Sequence, residues 1–234
     1  MKASDTIMAK KVFLGVGHGG TDSGAVGNGL KEKDLNLAIA LECQKVLVRH
    51  GVSVAMSRTK DENDALNEEV KECNKFKPDL AVDIHNNAGG GDGAEAYYHY
   101  NGGTGKTLAV NILNEIVAIG QNSRGAKTRK NSKGKDYYGF IRDTKAPAVI
   151  VECAFIDNAK DIAIIDTAAE QKTMGVAIAK GILKTLGIAF VEEKPVVTET
   201  GKIYRVQVGA YSKKENAENL AKRLKADGYD AIIV

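Results

Sequence analysis

Short β-branched or apolar runs alternate with amphipathic helical stretches through most of the chain, and this alternation limits the fold more than any other feature. Lys11 to Gly17 reads as a strand that ends in glycine. From Glu32 to His50, the residues Leu35, Ala38, Ile39, Cys43, Val46 and Leu47 recur on one helical face, and Gly51 stops the helix. Val52 to Ser57 reads as a strand, Leu66 to Phe76 as a helix, and Pro78 introduces the run Leu80 to His85. Glu95 to Tyr100 is a further strand, Thr107 to Ile119 a helix, Ala148 to Val151 a buried strand and Thr167 to Leu186 a long helix. Strands that alternate with helices need crossover connections. The expected class is therefore α/β, a twisted, mostly parallel sheet with helices on both faces.

Around Ala189 to Gly201 the composition turns polar and loses its periodicity, as in VEEKPVVTETG, which marks a linker. Beyond it, Tyr204 to Val208, Glu215 to Ala226 and Asp230 to Val234 form a small C-terminal βαβ unit. The domain expectation is an N-terminal extension over 1–10, a main domain over 11–188, a linker over 189–201 and an appendage over 202–234. The chain of 234 residues carries a net charge of +3, too mild to indicate nucleic acid. Cys43, Cys73 and Cys153 have no metal-knuckle spacing and read as small core hydrophobes. No apolar run is long enough to insert in a membrane, which takes about 18 residues or more. The start, MKASDTIMAKK, lacks the apolar core of a secretion signal.

Two glycine loops imitate phosphate cradles. VFLGVGHGG, residues 12–20, contains GxGxxG, but no helix opens at those glycines, and no acid stands about 20 residues further on. GGTGKT, residues 102–107, resembles the end of a phosphate-binding loop, yet Tyr100 stands where its first glycine belongs. That segment reads instead as a helix start with Thr104 as N-cap.

The carboxyl ends of the expected strands carry the remaining signal. His18 follows the first strand, His85 follows LAVDI, Glu152 follows VIV, and Glu32 opens the first helix. Open α/β sheets collect their functional groups along that edge. Two imidazoles and two carboxylates there compose a zinc hydrolase set: three ligands, a position left for water, and a second Glu as base. Each residue alone has a plainer reading. A His at a strand end is commonly a hydrogen-bonded rim residue, and a Glu at a helix start complements the dipole.

The segments GVGHGGTDSGAVGNGLKEKD, DLAVDIHNNAGG and AVIVECAFIDN resemble the three signature blocks of the zinc-dependent N-acetylmuramoyl-L-alanine amidases, often called amidase type 3. The resemblance covers roughly residues 11–187 in matching order and spacing. It implies one zinc ion per chain on His18, Glu32 and His85, with Glu152 catalytic. The implied reaction is hydrolysis of the amide between the muramoyl lactyl group and L-alanine of peptidoglycan. Zinc would polarise the carbonyl and acidify water, while Glu152 would move the proton to the leaving amine. Asp83 replaces the usual Ser before IHN, and Cys153-Ala154 a more usual Leu-Gly pair. On this reading the glycines turn the backbone tightly and clear a trench for a glycan strand, while His18 takes the metal.

The appendage, YRVQVGAYSKKENAENLAKRLKADGYDAIIV, resembles one repeat of the sporulation-related (SPOR) wall-binding domain, which binds glycan strands. Ala217, Leu220, Ala221 and Leu224 form its helix face. One half-repeat is marginal alone, so either the chain is cut short or two chains pair their halves as a homodimer; the plainer reading is a generic βαβ tail without a ligand. Arg124, Lys127, Arg129, Lys130, Lys133 and Lys135 crowd one expected loop, either facing wall polymers or stem-peptide carboxylates, or simply solvated. Tyr137 and Tyr138 nearby either line the trench or pack against a strand. The expected protein is a peptidoglycan amidase made in the cytoplasm that acts on the wall after release, as a phage endolysin or a mother-cell lytic amidase would. Its partner is peptidoglycan, with no nucleic acid and no membrane insertion. The alternative is a catalytically idle wall-binding protein.

Overall fold

Both faces of the central strands are buried, and the two parities face two different helix layers. The computed structural model describes residues 9–193, 209–226, 231 and 233, and contacts divide the chain into the units Met1–Val191 and Glu192–Val234. In the first unit the order is β1 (Lys11–Val16), β2 (Val26–Gly27), β3 (Leu30–Lys31), α1 (Glu32–Arg49), β4 (Ser53–Met56), α2 (Leu66–Phe76), β5 (Leu80–Asn87) and β6 (Ala94–Tyr98). Then come α3 (Gly103–Ala118), β7 (Ser123–Lys127), α4 (Gly139–Asp143), β8 (Ala148–Phe155), α5 (Ala159–Ile162) and α6 (Ala168–Leu186).

Six strands form one sheet in the order β4-β1-β5-β8-β6-β7, and β2 with β3 forms a two-stranded ribbon. β4, β1, β5 and β8 are parallel. β6 runs antiparallel to β8 and carries β7 alongside in its own direction. From β1 the chain crosses to β4 on one side and then to β5 on the other. The carboxyl ends of β1 and β5 therefore flank a switch point, where open α/β sheets leave a crevice.

Val12, Leu14, Leu80, Val82, Ile84, Val149 and Val151 face one way and join α1, α3 and α6 in the main core. Phe13, Ala81, Ala148 and Ile150 face the other way and meet only the short α2 and α4, through Cys73, Phe140 and Ile141. That second cover lies over the amino-terminal halves of the central strands. It leaves the carboxyl half of the same face, with His85 and Glu152, without an apolar lid among the described residues.

Two strands outrun the sequence expectation. β5 continues through His85 to Asn87 and β8 through Glu152 to Phe155, so both residues sit inside strands and pair with each other in register. A charged residue looks like a strand end in sequence, but on an uncovered half-face it keeps its ladder bonds. α3 begins at Gly103 with Gly102 as N-cap and no side-chain cap, so Thr104 does not cap it. The chain turns earlier, where Gly102 N donates to His99 O at 2.8 Å with φ 77°. α6 opens with a capping box between Thr167 and Glu170 and closes at Gly187 in the left-handed region. The three cysteines are free and buried, as expected.

The second unit holds α7 (Lys214–Ala226), on which Ala217, Leu220, Ala221 and Leu224 are the partly buried positions. The strands expected at 204–208 and 230–234 lie largely outside the described residues, as do most of the linker and residues 1–8 of the N-terminal extension. No described helix is long and apolar enough to cross a membrane.

α6 packs on α3 so closely that a Cβ at Gly181 would lie 2.5 Å from Ile112 Cα. The obstacle is backbone, which cannot swing aside. Gly181→Ala should therefore destabilise the protein by about 1–3 kcal/mol despite alanine's better helix propensity. Urea unfolding should show this as a lower midpoint at unchanged slope.

Candidate functional site

The site forms where the loop after β1 meets the start of α1 and the carboxyl end of β5. His18 adopts φ 64°, a left-handed conformation that a β-carbon disfavours and that its surroundings must hold. Gly19 and Asp22 exchange backbone hydrogen bonds across this turn at 2.9 and 3.0 Å. From the other side, the buried Arg58 guanidinium donates to the carbonyls of Val16, Gly17, Lys33 and Lys60 at 2.7–3.3 Å. One side chain thus fixes the backbone before His18 and after Glu32. Nothing in the sequence marks Arg58 for this task.

Glu32 is 4% exposed and stands between the two imidazoles. Its Oε2 lies 3.2 Å from His18 Nε2 and its Oε1 3.0 Å from His85 Nδ1. Oε1 also accepts from Asn86 N at 3.1 Å, and Oε2 from Ala25 N at 2.9 Å. Burial opposes the Glu32 charge, but these donors overcome it and hold the carboxyl far below the usual range. Each imidazole turns its other nitrogen to a second carboxylate: His18 Nδ1 to Asp22 at 2.9 Å and His85 Nε2 to Asp83 at 3.1 Å. Burial lowers the His85 pKa, yet Asp83 and Glu32 raise it well above its ordinary value. Among the described residues, His18, Glu32 and His85 are the group whose ligand atoms converge, all within 4.8 Å of one another.

The glycines serve this convergence. A Cβ at Gly17 would lie 2.1 Å from His85 Cε1, and one at Gly24 would lie 2.6 Å from both Glu32 Oε2 and His18 Cδ2. They clear space for the site's own side chains, where the sequence reading had them clear a trench for glycan.

Glu152 and Glu95 continue the row across the sheet. His85 pairs with Glu152, and Glu152 with Glu95, as directly opposed residues whose side chains share a face. Burial, with Glu32, Asp83 and Glu95 nearby and against the pull of His85, pushes the Glu152 carboxyl up to about 7.

Residues 12–184 match the family described as N-acetylmuramoyl-L-alanine amidase, and residues 179–234 match the SPOR domain. The sporulation-specific N-acetylmuramoyl-L-alanine amidase of Bacillus subtilis is 35% identical over 228 residues, covering 96% of this chain and 84% of that protein. The chain belongs to the N-acetylmuramoyl-L-alanine amidase family. Cwp6 from Clostridium difficile superposes with a TM-score of 0.75 at 43% identity, over 76% of this chain and 29% of that one. The catalytic domain of CwlV, the amidase from Bacillus (Paenibacillus) polymyxa var. colistinus, gives 0.69 at 31% identity, over 77% of this chain and 99% of that one. The protein is thus a peptidoglycan amidase that cleaves between N-acetylmuramic acid and L-alanine, with the mostly parallel α/β sheet of its relatives.

The basic stretch of the amidase divides in two. Arg124 and Lys127 belong to β7, beside the site row. Arg129 to Lys135 form a loop bridged at Lys130 and Asp136, and Asp136 accepts from Tyr100 beyond the carboxyl end of β6, the opposite edge of the sheet. A cavity of about 620 Å³ there, lined by His99, Tyr100, Lys133, Lys135 and Arg142, contains none of the four expected site residues. Tyr138 packs on Tyr97 at 4.7 Å between centroids, and Tyr137 stacks under Arg129.

Asp83 has a second buried carboxylate beside it. This is Glu69 of α2, 6% exposed, and neither Glu69 Oε1 nor Asp83 Oδ1 has a hydrogen-bond partner. A Cβ at Gly15 would touch both atoms, 2.1 and 2.8 Å away. Burial, then the charges of Asp83 and Asp64, raises the Glu69 carboxyl well above its ordinary value, and a retained proton supplies the missing donor. An acid whose folded pKa is raised loses stability as pH climbs from its unfolded value toward its folded one, because the native state keeps the proton longer. Glu69→Gln should therefore unfold at a higher urea concentration than the parent at pH 8, with the advantage shrinking toward pH 4.

Proposed function

We propose that His18, Glu32 and His85 hold one zinc ion and that Glu152 is the catalytic acid–base of the amidase. The convergence of two imidazole nitrogens and a carboxylate within 4.8 Å carries this reading. The donor set fits: three neutral or anionic N and O ligands suit zinc and leave a position open. Asp22 and Asp83 behind the two rings match the outer carboxylates that orient ligating histidines. A zinc ion bound there supplies Lewis-acid polarisation of the scissile carbonyl and a more acidic water.

The remaining work falls to the chain. Glu152, one strand from His85, takes the proton from the attacking water and returns it to the amine of L-alanine as that bond breaks. Its half-buried carboxyl, poised near neutrality, suits a group that must both accept and donate. On intact walls this reaction is lytic.

Purified protein should contain one zinc per chain by elemental analysis, and His18→Ala or His85→Ala should lose it. Glu152→Gln should retain the metal while turnover falls by roughly 10²–10⁴. Amine release near the parent rate from Glu152→Gln would remove Glu152 from the mechanism, and full zinc in either His variant would overturn the ligand set.

We also propose that residues 202–234 attach the enzyme to glycan strands and pair two chains. The SPOR match and the apolar face of α7, with Leu220 and Leu224, support this. Sedimentation of the full chain at micromolar concentration should show a dimer, and Leu220→Glu with Leu224→Glu should give a monomer that binds walls less. A monomeric parent would end the proposal.

A further inference from the structure

We propose that Arg124 and Lys127 of β7 form a subsite for the free carboxylate that a stem peptide carries on the residue after L-alanine. The inference rests on Glu152 standing beside the scissile amide.

The first observation is a parity reversal. Residues three apart on a regular strand point to opposite faces. Here the register slips between β6 and β7: Ala94 pairs with Ser123, but Ala96 pairs with Ala126, so two residues on β6 oppose three on β7. The extra residue brings Arg124 and Lys127 to one face, and both reach the same oxygen, Glu95 Oε2.

The second is saturation. Glu95 is 3% exposed, and its other oxygen accepts from Asn87 Nδ2 at 3.1 Å and Tyr97 Oη at 2.9 Å. Counted alone, Glu95, Arg124 and Lys127 carry one net positive charge on a fully partnered anion. Arg124 uses only Nε on Glu95, and its guanidinium lies 5.0 Å from the Phe155 ring centroid. Its forked end makes no hydrogen bond among the described residues. Such a fork matches a carboxylate.

The third is distance and direction. Neighbouring strands lie about 4.8 Å apart, which puts Glu95 one strand and β7 about 10 Å from the backbone of Glu152. From the scissile nitrogen, one residue of about 3.8 Å between Cα atoms plus the bonds at either end carries the next carboxylate roughly 7 Å out. Side chains as long as Arg and Lys close the difference. On the opposite flank the exposed Asp22 presents negative charge, while Asp61 there is paired with Lys33, so a stem with a free carboxylate is drawn toward β7 and turned away from the His18 loop.

The test uses two N-acetylmuramoyl peptides that differ only in their second residue, γ-linked D-glutamate with a free α-carboxylate or its amide. Calorimetric titration into the full chain should give tighter binding of the acid by about ten-fold or more, the scale of a hydrogen bond to a charged group. The ratio of kcat/KM values should favour the acid similarly. Arg124→Met and Lys127→Met should each pull both ratios toward one, and Arg124→Lys should keep part of the preference. Equal binding of acid and amide by the parent overturns the subsite, and so does a preference left intact in both Met variants. A binding preference that persists while neither peptide is cleaved keeps the subsite and counts against the assignment of Glu152.

Discussion

The carboxylate of Glu32 is the tie on which the site depends. It is buried at the first turn of α1, yet it accepts from the loop at Ala25, from β5 at Asn86 and from Asn36 one turn along its own helix, and it faces both imidazoles. A charge that deep is unfavourable unless every lone pair is met. The folding of three separate segments around one anion therefore also sets the distance between His18 and His85. A dication in that space would replace the imidazole contacts with stronger ones and leave the backbone donors as they are.

What opens the site to a polymer is the unequal cover of the sheet. Three long helices bury one face along its whole length, whereas α2 and α4 reach only the amino-terminal half of the other. His85, Glu152 and Glu95 share the uncovered half-face, Asp83 lies one step back beside Glu69 of α2, and Val82, Ile84 and Val151 between them point into the core. Substitution at one parity costs stability, and at the other it changes chemistry. This explains how a strand such as LAVDIHNN carries reactive groups without weakening its ladder.

Much of this was legible in the sequence, and the illegible parts share a cause. α1, α2 and α6 follow from helical periodicity with clear stops, and β1 from its apolar run before the glycines. His18, Glu32, His85 and Glu152 could be singled out because their positions relative to strand ends depend on local order. β5 and β8 run past His85 and Glu152, which the sequence does not show because burial of one face only is invisible without the partner layer. SRGAK, the sequence of β7, has neither alternation nor β-branched residues and so looks like loop, but an edge strand on a bulge needs neither. Arg58 and Glu69 act through carbonyls and carboxylates far away in sequence, and no spacing rule reports such contacts. Gly17 and Gly24 could be flagged as unusual, but only the three-dimensional approach of His85, Glu32 and His18 says why a side chain is excluded there.

Charge is distributed across the crevice as unevenly as the cover is. From the His18 loop to β7 the order is the exposed Asp22, then the convergent triad with Asp83 behind it, then Glu152 and Glu95, and last Arg124 and Lys127. A neutral glycan feels little of this gradient, whereas an acidic peptide is aligned by it before any contact forms. The alignment matters for an amidase because its scissile bond joins those two unlike chains. The enzyme must place the sugar side and the peptide side on opposite sides of the bond it cuts. A sheet that ends in a bulged, cationic edge strand on one flank and an acidic loop on the other gives the two sides of the substrate different places to lie. The single extra residue in β7 that unites Arg124 with Lys127 is thus linked to the geometry of the cut, although it makes no contact with the triad.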